Sequence, residues 1–165
     1  MSPIELKVAE ASSRTILALK SQGMSVNERY GYDAPSLPSD ITSMMEEEVM
    51  DLYGKYVAYL EFISLQLWCA QVDKAEAEKN LTIIKAEKKL SLKTSGKAVA
   101  MIDAEIEVDP EYREKADALQ ELSNYCGLIN LISERLSKDI SLINREITRR
   151  VNIHKAAGRS TWLMP

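Results

Sequence analysis

In the second half of the chain, small or apolar residues recur at alternating steps of four and three. They are Tyr112, Ala116, Leu119, Ser123, Cys126, Ile129, Ser133, Leu136, Ile140, Ile143 and Ile147. A strand returns side chains to one face every second residue, so this period belongs to a helix, and its 4–3 alternation belongs to a helix packed along a seam. Asp109-Pro110-Glu111 marks the start of that helix: an aspartate to cap it, a proline at its first position, then an acid at its positive end. The expected helix runs to about Lys155. An earlier stretch repeats the pattern, with Val49, Tyr53, Tyr56, Leu60, Ile63, Leu67 and Ala70. Between Asp40 and Leu92 there is no proline, and Gly54 is the one glycine. An unbroken helix from Ser43 to Leu92 would be about 75 Å long.

Lys93 to Gly96 is the first convincing break, and Ala98 to Val108 is again compatible with helix. Two long helices with one short break predict an all-α fold, a long antiparallel helical hairpin with coiled-coil-like packing. Ser43 and Glu46 offer a capping box for the first long helix, and Glu46, Glu47 and Glu48 suit its start. Before the hairpin, Pro3 to Gln22 reads as a short accessory helix, with Ile4, Val8, Ala11, Thr15 and Leu19 on one side. Ser2 would cap it and Gly23 would end it. Residues 23–39 read as a linker with two tyrosines, Tyr30 and Tyr32, which either stack on a base or anchor the loop. The organisation expected is therefore 1–22 accessory helix, 23–39 linker, 40–157 hairpin and 158–165 tail. Trp162 and Leu163 of that tail are either disordered or docked in a groove. A second apolar set on the first long helix, Leu52, Tyr59, Phe62, Leu65, Trp68 and Val72, lies off the seam, as do Leu128, Leu131, Ile132 and Leu142 on the second. One partner helix cannot bury both sets, so the hairpin is expected to oligomerise through its helix faces.

Several function classes find little support. The chain has 165 residues and a net charge of -4, which argues against general coating of nucleic acid but leaves room for a local basic groove. Neither a signal-peptide core nor an apolar run of about 18 residues is present, so no membrane span is expected. Cys69 and Cys126 sit within apolar helical patterns and read as small core residues in a reducing, cytoplasmic setting. His154 stands alone among Arg149, Arg150 and Lys155, and reads as a surface or helix-terminal residue rather than a catalytic base. Asp103, Glu105 and Glu107 are alternate residues of one helix and diverge, which makes them poor metal ligands. No enzyme, metal or cofactor is expected.

The best candidate for a polyanion contact is the lysine stripe Lys85, Lys88, Lys89, Lys93 and Lys97. At about 100° per residue these fall within roughly half a helix circumference. A solvated or ion-paired face is the competing reading. With the corner near residue 101, Lys85, Lys88 and Lys89 would face Asp117, Glu114 and Glu111, while Lys93 and Lys97 have no evident acid opposite. The glutamates at 46–48 would face the neighbourhood of Arg149, Arg150 and Lys155.

From about Tyr53 to Arg150 the chain resembles the UvsY-type recombination mediators of T-even-like bacteriophages. The resemblance lies in YGKYVAYLE, in KAEKKLSLK closing the first long helix, and in EIEVDPEYREKADALQELSNYCGLINLISERL after a polar corner. It implies a small all-helical protein that forms a ring-like homo-oligomer and binds single-stranded DNA. Such a protein helps load a recombinase onto DNA coated by single-strand-binding protein, in the host-cell cytoplasm if phage-encoded. The DNA contacts it implies are Lys88, Lys89 and Lys93. Ser95 stands where the family carries an arginine, and Lys97 can substitute for it. Contacts would be mainly to phosphates and sensitive to salt. Two other classes stay open from the residues alone. One is a coiled-coil structural or assembly protein without DNA binding, its lysines neutralised by facing acids. The other is an acidic helical protein that inhibits a nuclease in place of DNA.

Overall fold

The computed structural model describes residues 4–94 and 99–160, and side chains over 4–94 and 101–155. Lys97 and the tail residues Trp162 and Leu163 lie outside the described residues. The fold is all-α: α1 (Glu10–Ser21), α2 (Glu46–Thr94), α3 (Val99–Val108) and α4 (Pro110–Ser160), with a two-residue strand pair, β1 (Ile4–Glu5) and β2 (Arg29–Tyr30). The chain divides into two compact units. One contains Asn27–Ser64 with residues 4–6 and 131–160, the other Lys7–Val26 with Leu65–Asn130. Both long helices contribute to each unit, and within each unit α2 runs antiparallel to α4.

The seam on α4 is as expected. Each of its positions from Tyr112 to Ile147 is buried or half-buried, with Ile129, Leu136 and Ile143 buried, and most of the residues between them are exposed. On α2, Val49, Tyr56, Ile63 and Ala70, seven residues apart, are buried, and Tyr53, Leu60 and Leu67 between them are half-buried, which completes the same alternation. The row then continues beyond its apolar part through Lys74, Ala77, Leu81, Ile84 and Lys88, all half-buried. Asp109 caps α4 as expected, its Oδ1 accepting the Tyr112 N–H at 3.0 Å. α4 extends to Ser160, past the expected end at Lys155. At the start of α2 the capping partners differ from expectation. Asp40 instead caps a 3₁₀ turn at Ile41–Ser43, accepting the Thr42 N–H at 2.9 Å. Glu48 reaches back to accept the Met45 N–H at 2.7 Å, the return arm of a capping box.

The first unit packs Tyr30 against α2. Tyr30 is 2% exposed. Its ring centroid lies 4.8 Å from that of Tyr59 and 6.1 Å from that of Phe62. Its hydroxyl donates to the Lys55 carbonyl at 3.3 Å. β1 and β2 hold this loop in place, with Ile4 opposite Tyr30 and Glu5 opposite Arg29. At the other end of α4's share of this unit, Arg150 donates to the carbonyls of Ile41 and Thr42 at 3.1 and 3.3 Å.

The N-terminal segment, divided between the two units at Leu6, departs from expectation. Ile4 and Glu5 are extended, and α1 begins only at Glu10. Gly23 ends it with φ 81°, a left-handed conformation that glycine adopts without strain. The residue before α1 is Ala9, whose methyl cannot cap. Asp73 of α2 supplies the cap from outside: Oδ1 accepts the Ser12 N–H at 2.8 Å and Oδ2 the Ala9 N–H at 3.0 Å. Two turns earlier on α2, Gln66 clasps Lys7 in both directions. Its Oε1 accepts the Lys7 N–H and its Nε2 donates to the Lys7 carbonyl, each at 2.7 Å. Buried backbone polar groups require such partners. Phe62, Gln66, Cys69 and Asp73, spaced four, three and four, therefore form a second buried row on α2 beside the seam. Within the first unit Phe62 packs beside Tyr30, and within the second Gln66 and Asp73 bond Lys7, Ala9 and Ser12, while Trp68 of the expected off-seam set is 36% exposed.

Candidate nucleic-acid interface

The lysine stripe lies in the second unit, on the last turns of α2. Lys88 is a seam residue by position, and its side chain is only 23% exposed. It bridges Asp109 Oδ1 at 2.8 Å and Glu111 Oε2 at 2.9 Å. The hydrogen bond to Asp109, then that to Glu111, holds the Lys88 ammonium above the usual lysine range. Asp109 is held below the usual carboxylate range by Lys88 and by the Tyr112 N–H. One aspartate thus caps α4 and anchors α2 against it. Lys89 lies 2.7 Å from Asp103 Oδ1. That contact, helped by the charge of Lys85, lowers the Asp103 pKa.

The expected facing acids are thus displaced. Lys88 meets Asp109 and Glu111 in place of Glu114, Lys89 meets Asp103 in place of Glu111, and Asp117 does not come within 4.0 Å of Lys85. The reason is that α3 fills the corner and α4 starts directly after it, so the first turn of α4, not its second or third, lies beside Lys88. Lys85 is half-buried and Lys93 is exposed; among the described residues no carboxylate lies within 4.0 Å of either. The five-lysine stripe therefore resolves into two ion-paired members, Lys88 and Lys89, two others, Lys85 and Lys93, and Lys97 outside the described residues. Asp103 serves a lysine, and among the described residues no group of three or more His, Cys, Asp or Glu is placed to hold a metal.

Other candidate residues separate similarly. Tyr30 is a buried anchor, and Tyr32 is 63% exposed with its ring 5.8 Å from that of Tyr30, edge-on. His154 lies 4.0 Å from Glu46 on an exposed surface. Cys69 is buried and Cys126 half-buried, and neither is in a disulfide. Among the described residues no helix is long and apolar enough to cross a membrane.

A second basic surface, in the first unit, was not legible as a site in the sequence. On the side of α4 away from the seam, Leu131, Arg135, Lys138, Leu142, Arg145, Arg149 and Asn152 follow one another at steps of four and three, all exposed. Between Arg135 and Lys155 the acids are Asp139 and Glu146 alone. Asp139 hydrogen-bonds the buried Tyr56 hydroxyl. Glu146, 6% exposed, is engaged by two arginines. Arg149 donates to both of its oxygens at 2.7 Å, and Arg150 to Oε1 at 2.7 Å. Those hydrogen bonds, Arg149's first, lower the Glu146 pKa from 4.5 to about 2. Arg150 is directed inward by its carbonyl contacts, while Arg149 is half exposed and held rigid by the carboxylate beneath it. A shallow groove beside the row is lined by Ser141, Asn144, Arg145, Thr148, Arg149 and Asn152. The signal that would have found this surface is the 4–3 row displaced to the opposite face of the helix.

No family model, no curated protein and no solved structure matches the chain.

Proposed function

We propose that this protein is a non-enzymatic mediator of homologous recombination. It binds single-stranded DNA without sequence preference, assembles as a homo-oligomer and helps load a recombinase onto DNA covered by single-strand-binding protein. The observation that supports this reading best is Lys93, exposed within KAEKKLSLK at the end of α2 and with no carboxylate within 4.0 Å among the described residues. Lys85 lies two helical turns earlier, and both lysines suit phosphate contacts that depend on salt. Exposed apolar residues of the same unit, Ile83 and Leu90 on α2 with Met101 and Val108 on α3, are what an assembly contact would cover. The acidic net charge is compatible with a local basic surface.

The ion pairs at Lys88 and Lys89 favour a second reading, a helical assembly protein that does not bind DNA. Fluorescence anisotropy of a labelled oligothymidylate separates the two. The mediator reading expects binding that weakens with salt, and a lower salt slope in Lys85→Ala/Lys93→Ala, by about 1.4 if each lysine meets one phosphate of a single strand. Lys88→Met, which keeps the length of the side chain at a seam position, should bind like wild type. No binding at low salt by a folded, assembled protein would overturn the mediator reading and leave the assembly protein.

A further inference from the structure

We propose that the outward row of α4 from Arg135 to Asn152 is a second single-stranded nucleic-acid surface, separate from the α2 corner, and that it carries the larger share of the phosphate contacts. The inference takes the identity of the polymer from the mediator reading and the location from α4 itself. Arg135, Lys138, Arg145 and Arg149 share one exposed face over about 21 Å of helix. Among the described residues, Arg135, Lys138 and Arg145 have no carboxylate within 4.0 Å, whereas Lys88 and Lys89 at the corner are occupied. Unpaired cations meet a phosphate without first breaking an ion pair.

Arg149 contributes differently. Glu146 fixes its guanidinium through two hydrogen bonds, so little side-chain freedom is left to lose on binding. Glu146 faces two arginines, Arg149 and Arg150, so the group keeps a net positive charge. Asn144 and Asn152 lie alongside, and amide side chains bond phosphate oxygens and sugars without reading sequence; the Ser141 and Thr148 hydroxyls donate to the Ser137 and Asn144 carbonyls of their own helix. A lipid surface fits less well. A helix lying in a bilayer interface needs a broad apolar face, and between Arg135 and Asn152 the row carries one apolar residue, Leu142, with the exposed Leu131 and Ile132 lying before its first cation.

The experiment is anisotropy of a fluorescein-labelled oligothymidylate from low to moderate salt. Full-length wild type, Lys138→Ala/Arg145→Ala and the corner variant Lys85→Ala/Lys93→Ala are compared, each checked for helicity and mass. Lys138 and Arg145 are exposed, so their removal should leave the fold intact. The expected result is a salt slope reduced by about 1.4 in the α4 variant, with weaker binding at low salt than the corner variant shows. Wild-type binding by the α4 variant alongside loss in the corner variant would overturn this proposal and leave the mediator reading standing. No binding of the oligonucleotide by wild type would overturn both.

Discussion

Replacing Asp73 by alanine should loosen the N-terminal segment, and the cost can be worked from its contacts. Asp73 is 8% exposed. It accepts the N–H groups of Ala9 and Ser12 and the Ser12 hydroxyl, the last at 2.7 Å. In Asp73→Ala the Ala9 N–H keeps Ser12 Oγ, 3.1 Å away, and the Ser12 hydroxyl can turn to the Ala9 carbonyl at 3.3 Å. The Ser12 N–H keeps nothing. An orphaned buried donor costs about 1–3 kcal/mol, and removing a negative charge from a helix start adds about 0.3–1 kcal/mol. The expected loss is therefore about 2–3 kcal/mol, and Asp73→Asn, which retains one acceptor oxygen, should lose about 1 kcal/mol. Urea unfolding followed by circular dichroism gives the stability, and hydrogen exchange of the α1 amides shows whether the loss is local. Because residues 7–9 lie over Ala70 and Asp73, releasing them uncovers apolar surface, and light scattering should register a larger average mass. A stability within about 0.5 kcal/mol of wild type, the scatter of ordinary surface substitutions, with α1 protection unchanged, would refute the reasoning. The burial of Ile16, with the Arg14–Glu76 ion pair, would then hold α1.

Acid should destabilise the protein in a defined window. The folded-state pKa of Glu146 is depressed from 4.5 to about 2, so its contribution is fully present above about pH 4.5 and is lost as pH falls toward 2. Asp40, Asp103 and Asp109 are shifted the same way. Urea midpoints at pH 5.5 and 3 should show the fall, and Glu146→Gln should be less stable at pH 5.5 while losing less between the two. On the assembly contact proposed above, Leu90→Glu, at a side chain 66% exposed, should leave the helicity unchanged and lower the average mass by light scattering; an unchanged mass would remove Leu90 from that proposed contact.

The sequence by itself determined the hairpin. The 4–3 rows on α2 and α4, the Asp109-Pro110-Glu111 start and the absence of proline from Asp40 to Leu92 are local signals. They act through backbone sterics, capping and the helical period, and are written in residues next to one another. The lysines of the corner were legible as a stripe but not as ion pairs. Whether Lys88 meets a phosphate or Asp109 depends on where α3 places the first turn of α4, a distance no spacing within α2 encodes. The second buried row was missed because its decisive members, Gln66 and Asp73, are polar, and hydropathy assigns polar residues to solvent. They are buried because the extended residues before α1 arrive with unpaired N–H groups, and only the tertiary structure brings donor and acceptor together across some sixty residues of chain. The α4 row shows the same division. Its periodicity was in the sequence, but which arginines are free and which are bound to Glu146 was decided by packing.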